Sequence, residues 1–134
     1  MKIPTIKMSV TIKASPAEVF STLVEARKIL DWSGQKGRVA SRVGGKVALF
    51  DGWVKGVVLD CKDKRTLAYT WLTADWPEET KPSVVRYKLA AAKNGTKLTL
   101  VHSELPSRKE MLSHKSGWTE FFFDPLRNYF ADRK

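Results

Sequence analysis

Few side chains in this 134-residue sequence could make or break bonds. His114 has no acid or nucleophile at triad-like spacing, and two histidines with the single cysteine Cys61 are poor material for a metal site. Cys61 lies among Asp60, Lys62 and Lys64, where it is either a mildly activated thiol or, as is commoner for lone cysteines, a small apolar residue. Gly44-Gly45 lacks the lysine-serine pair of a phosphate loop and the spacing of a dinucleotide fingerprint, so it reads as a turn. His102 alternates with Leu98 and Leu100; it is either the polar anchor of an apolar pocket or a buried histidine bonded to backbone, and the second reading is favoured. No catalytic residue, metal ligand or cofactor is expected. What the chain does concentrate is large rings, with Trp118, Phe121 and Phe122 close together near its end. Their chemistry is burial, and rigid groups that meet imperfectly leave pockets.

The elements that must position these residues are readable from periodicity. Ile6, Met8, Val10 and Ile12 alternate with polar residues, which predicts a half-buried strand over 5–13. Ser15-Pro16-Ala17-Glu18 joins a capping box to a proline at the first helical position, so a short helix carrying Val19, Phe20 and Leu23 follows, with a second over 25–30. Strands are predicted at 46–50, 53–61, 65–73, 83–91 and 96–103, separated by Asp51-Gly52, Lys62-Asp63-Lys64 and Asn94-Gly95 turns. Asp51-Gly52 and Asn94-Gly95 are expected as type I′ turns, with both central residues at positive φ. In the strand over 53–61, Val54, Gly56 and Val58 are expected inward, Gly56 allowing close backbone approach. The longer link Ala74–Pro82 is expected to be a mobile rim loop. A second capping box, Ser107-Arg108-Lys109-Glu110, opens a helix to Ala131 that would run about 36 Å at 1.5 Å per residue. Pro125 lies inside it and crowds the carbonyl of Phe121, which predicts a kink between the two.

Composition bounds the function. Hydrophobic residues at 43% and charged residues at 28% describe one ordinary globular domain over residues 1–134. No apolar run approaches the roughly 20 residues of a membrane span, and the start of the chain does not read as a secretory signal, so a cytoplasmic protein is expected. The net charge of +10 comes from 24 basic residues spread without a dense block, a solubilising coat more than a nucleic-acid footprint.

A strand, two small helices, an antiparallel meander and a long terminal helix make an α+β arrangement. The sequence resembles the SRPBCC or START-like superfamily with the helix-grip fold. Within it, the resemblance is to single-domain homologues of the activator of the heat-shock-chaperone ATPase. The resemblance is carried by Ser15 to Phe20, Leu30-Asp31-Trp32, Val43 to Val47, Gly56-Val57-Val58, Leu67 to Trp71, Gly95 to His102, Gly117-Trp118 and Leu126 to Phe130. It implies a curved antiparallel sheet wrapped around the long C-terminal helix, with two short helices after the first strand and a cavity between sheet and helix. Leu49 and Val58, then Tyr69 and Trp71, Val85 and Tyr87, and Leu100 and His102 are the strand residues expected to surround that cavity, opposite Trp118, Phe121 and Phe122. The function expected is a non-enzymatic module that binds a small apolar or amphipathic ligand. The alternative is a co-chaperone-like domain that docks on a chaperone and stimulates its ATPase. Nucleic acid and membrane are not expected partners, and a cyclase or lyase would have only His102 and Asp60 as inward acid-base candidates.

Overall fold

A meander of six strands, closed on one edge by a strand from the start of the chain, forms a seven-stranded sheet in the computed structural model, which describes residues 5–131. The strands are β1 (Ile6–Ile12), β2 (Arg38–Val39), β3 (Lys46–Leu49), β4 (Val54–Lys62), β5 (Thr66–Thr73), β6 (Ser83–Ala92) and β7 (Gly95–Ser103). Their order is β1-β7-β6-β5-β4-β3-β2, and every neighbouring pair is antiparallel. Helices α1 (Pro16–Val24) and α2 (Ala26–Ser33) carry the chain from β1 to β2. The terminal helical stretch crosses the sheet as α3 (Arg108–Gly117), a π-helical segment (Trp118–Phe123) and α4 (Asp124–Ala131). This is the curved α+β helix-grip arrangement with its long C-terminal helix. Two-residue β2 is too short to leave a periodic trace in sequence. No helix among the described residues is long and apolar enough to cross a membrane.

The local signals act as their chemistry dictates. Ser15 Oγ accepts the Glu18 N–H at 3.2 Å and Glu18 Oε1 accepts the Ser15 N–H at 3.4 Å, a complete capping box. The Trp32 indole donates to the Thr22 carbonyl at 2.8 Å, locking α2 onto α1, and its ring meets Phe122 edge-on at 4.7 Å. At Ser107 only half of the expected box forms: its Oγ accepts the Glu110 N–H at 3.1 Å, but the Glu110 carboxylate turns instead toward His114, 3.6 Å from Nδ1.

Two glycines are fixed by close approach. A Cβ on Gly56 would fall 1.8 Å from the Thr70 carbonyl oxygen, where β4 and β5 crowd beside the bulge between Val58 and Asp60. A Cβ on Gly95 would fall 2.1 Å from the Ile12 carbonyl oxygen. The second case corrects the expected type I′ turn. Ala92 pairs with Gly95, so the loop is Lys93-Asn94, only Asn94 of which has positive φ (68°), and Gly95 belongs to the strand. At the other hairpin, positive φ extends one residue further back than expected, through Phe50 (52°), Asp51 (58°) and Gly52 (89°).

Pro125 does not act through a simple kink. The helix widens into i→i+5 hydrogen bonding just before it, with the Asp124 N–H reaching back to Thr119. That change re-phases the aromatic stripe. Residues three and four apart share a face of an α-helix, which predicts Trp118, Phe121 and Phe122 inward; with i→i+5 bonding the shared face falls four and five apart. Trp118, Phe122 and Phe123 are accordingly buried, and Phe121 is 56% exposed.

Candidate functional site

The centre of the molecule, where the sheet faces the helix, is filled. Tyr69 and Tyr87 are buried with their hydroxyls 2.6 Å apart, and burial raises the pKa of both phenols. Tyr87 stacks on Phe122 at 5.9 Å and 23°, and Trp118 lies 4.8 Å from Phe122. Leu49, Val58, Val85 and Leu100 belong to the same packed cluster.

Beside that core two histidines lie 5.4 Å apart, ring to ring, in a layer of tryptophans. The Trp118 indole donates to His102 Nδ1 at 3.0 Å, so the imidazole proton is on Nε2, which donates to Ser83 Oγ at 2.8 Å. Ser83 in turn donates to the Trp71 carbonyl at 3.0 Å. The Trp71 indole then donates to His114 Nε2 at 3.2 Å, and His114 Nδ1 donates to the Glu110 carbonyl at 2.9 Å. One directional chain thus leaves the helical stretch at Trp118, passes through β7, β6 and β5, and returns to α3. All four imidazole nitrogens are engaged within it. A further proton on His102 would set a buried N–H against the Trp118 N–H. Burial, with His114 as the second cause, pushes the His102 pKa down from 6.5 to about 3.

Where this layer reaches the surface, an open cleft of about 220 Å³ separates the β3–β4 turn from α3 and the π-helical segment. Phe50, Trp53, Trp71, Trp118, Phe121 and Phe122 supply its rings, and Asp75, Glu110, Ser113 and His114 its polar groups, with Gly117 between them. The turn that presents Phe50 and Trp53 carries non-glycine residues at positive φ and is held from outside. Asp51 Oδ1 accepts the Lys36 N–H at 2.8 Å while the Asp51 N–H donates to the Lys36 carbonyl at 2.9 Å. Trp53 lies near-parallel to His114 at 6.2 Å and 18°, and its indole donates to Asp75 at 3.0 Å, tying the turn to the loop after β5. That loop lies at the rim as expected, yet it is anchored: Trp76 is buried, its ring 5.7 Å from His114, with its indole N–H unpartnered.

Four of the residues expected to surround a cavity, Trp71, Trp118, Phe121 and Phe122, border this cleft. Leu49, Val58, Tyr69, Val85, Tyr87, Leu100 and His102 are buried in the filled core, so the opening lies at the edge of the helix–sheet interface and not along it. Phe50, Trp53, Asp75, Glu110, Ser113 and His114 were not legible as its walls; the Asp51-Gly52 turn signal placed the hairpin but not what its flanking rings face. Asp60 accepts the Thr66 hydroxyl at 3.0 Å on the bulged part of β4 and does not border the cleft. Cys61 is not activated: burial first, then Asp60 and Asp63, raise its thiol pKa. Among the described residues no three His, Cys, Asp or Glu side chains converge as a metal would require.

The His102 arrangement carries a pH signature. The unfolded chain takes up a proton near pH 6.5 and the folded chain near 3, so stability is intact above 6.5 and falls as the pH drops through that window. His102→Gln keeps a donor and an acceptor while removing the titration. Denaturant unfolding at pH 7 and 4.5 should show the native protein losing about 2 to 3 kcal/mol more than the variant. Parallel losses would contradict the assignment.

Comparison with known proteins identifies the family and supports the fold. The family model described as Activator of Hsp90 ATPase homolog 1-like protein matches residues 13–131. A curated relative from Dictyostelium discoideum, an activator of 90 kDa heat shock protein ATPase homolog, is 20% identical over 127 residues, 95% of this chain and 33% of the relative. The chain therefore spans about a third of the length of that relative. Among solved structures, an HSP90 activator from Plasmodium falciparum superposes with a TM-score of 0.81 at 27% identity, covering 91% of this chain and 92% of that one. A Mesorhizobium loti protein superposes with a TM-score of 0.82 at 24% identity, covering 98% and 99%. The overall fold is thus shared with these structures, and the chain belongs to the family of Activator of Hsp90 ATPase homolog 1-like proteins.

Proposed function

We propose that the protein is a non-enzymatic binding module whose site is the aromatic cleft between the β3–β4 turn and the start of the terminal helical stretch. The observation that carries this reading is the cleft's construction: six aromatic residues border one opening, and the hydrogen-bond chain behind it holds two of them, Trp71 and Trp118, by their indole nitrogens. Apolar surface removed from water contributes about 25 cal/mol per Å². A ligand with one ring or a short alkyl body therefore gains affinity against walls that need little reordering. Acid-base chemistry finds no free imidazole nitrogen here, because both histidines are spent on the hydrogen-bond chain.

A second reading rests on the family match across residues 13–131 and on the HSP90 activator of similar structure. It makes the chain a chaperone-docking domain that stimulates a chaperone's ATPase. The two readings separate experimentally. N-phenyl-1-naphthylamine, a neutral probe that brightens in apolar surroundings, should bind the native protein. Phe121→Ala and Trp53→Ala, which truncate rings 56% and 40% exposed, should weaken it at least fivefold with little change in thermal unfolding. Unchanged affinity in both folded variants would remove the cleft as the site. For the second reading, the purified chain should raise the ATPase rate of an Hsp90-type chaperone and co-elute with it in a salt-sensitive manner; an unaltered rate with no co-elution would remove it.

A further inference from the structure

The charge around the cleft runs against that of the rest of the protein. The sequence holds 24 basic and 14 acidic residues, yet no lysine or arginine borders the cleft, and two carboxylates, Asp75 and Glu110, do. Neither has a lysine or arginine partner within ion-pair distance among the described residues, where the Lys-to-carboxylate pairs are Lys28–Glu25 and Lys81–Glu104. Glu110 is released for this position by the half-formed cap at Ser107, and its nearest cationic-type neighbour is the His114 imidazole at 3.6 Å. Asp75 is oriented by the Trp53 indole. The same opening is bordered by three tryptophans and three phenylalanines, of which Trp53 and Phe121 are exposed at the lips while Trp71, Trp118 and Phe122 are buried at its floor. Aromatic faces carry negative quadrupole potential and attract cations, tryptophan most strongly, and the attraction grows as the cation loses water.

On these grounds we propose that the ligand taken by this cleft is an organic cation, an alkylammonium or quaternary ammonium group joined to a ring or short apolar body. The proposal rests on the binding-module reading above and specifies its ligand class. The apolar body lies between Trp53 and Phe121 above the buried rings of Trp71, Trp118 and Phe122, while Asp75 and Glu110 offset the charge from the rim. A volume of about 220 Å³ suits one ring with a small ammonium head. An anionic ligand would meet two carboxylates and no basic side chain at the cleft. A neutral ligand would gain the apolar contacts and leave the acidic rim unused.

The test uses three probes of similar size and shape: phenyltrimethylammonium, its neutral isostere tert-butylbenzene, and benzenesulfonate. Binding is followed by tryptophan fluorescence and by indole N–H resonances. A net charge of +10 repels the cation and attracts the sulfonate at long range, so nonspecific electrostatics would favour the opposite order. Phenyltrimethylammonium should bind at least tenfold more tightly than tert-butylbenzene, with benzenesulfonate weakest. Asp75→Asn keeps an acceptor for the Trp53 indole, and Glu110→Gln leaves untouched the backbone carbonyl that holds His114. Each should reduce affinity for the cation three- to tenfold while leaving that for tert-butylbenzene unchanged. Equal or tighter binding of tert-butylbenzene would overturn the cation assignment and leave the binding reading standing. Failure of all three probes to bind would overturn both.

Discussion

The hydrogen bond from the Trp118 indole to a neutral His102 is the constraint on which the rest of the structure depends. It fixes the imidazole tautomer, and the tautomer fixes the direction of every bond after it, through Ser83 to the Trp71 carbonyl. Because Trp71 also donates from its indole to His114, the same residue ends one half of the chain and begins the other. Helix and sheet are thereby joined by directional bonds in a region where apolar contact alone would allow sliding. In a buried setting each such bond is stronger than in water, and each broken one leaves a costly orphan. The arrangement also commits all four nitrogens of the two histidines to hydrogen bonds within the aromatic layer.

Pro125 shapes the site from a distance. An interior proline withholds a backbone donor and crowds the carbonyl one turn earlier, and this chain accommodates it by widening the turn ahead of it into a π-helical segment. The re-phasing brings Phe123 into the core and turns Phe121 to the lip. With the Lys36 clamp on Asp51 holding the opposite lip, the cleft is bordered by two backbone irregularities, each over-determined by its surroundings. Regular structure fills the centre, and the opening appears where regularity ends.

Much of the fold was legible in the sequence because it rests on local rules. The Ser15 capping box, the alternation in β1, β5, β6 and β7, and the turn residues at 51–52 and 62–64 each encode their element within a few positions. The family resemblance then supplied the arrangement of layers. The site was less legible for a physical reason. Periodicity reports which face of an element is apolar, and Leu100, Tyr87 and Trp71 all satisfy that test. Whether such a face meets atoms or space depends on how elements of distant sequence close on each other. Trp53 and Asp75 face the cleft because a hairpin turn and a loop 22 positions apart meet, and Glu110 because its cap is only half made. The π-helical re-phasing was hidden because a helical pattern is read at a single period, although Pro125 marked where it would fail.

The family match over residues 13–131 and the aromatic cleft at the edge of the helix–sheet contact are the two observations on which the proposed binding-module function rests. The five indole N–H groups of the chain report on this directly, because Trp53, Trp71 and Trp118 border the cleft while Trp32 is bonded to Thr22 between α1 and α2. Titrating N-phenyl-1-naphthylamine into nitrogen-15-labelled protein should move the Trp53, Trp71 and Trp118 indole resonances and leave that of Trp32 in place. A shift confined to Trp32, or saturating probe with all five unmoved, would contradict the account.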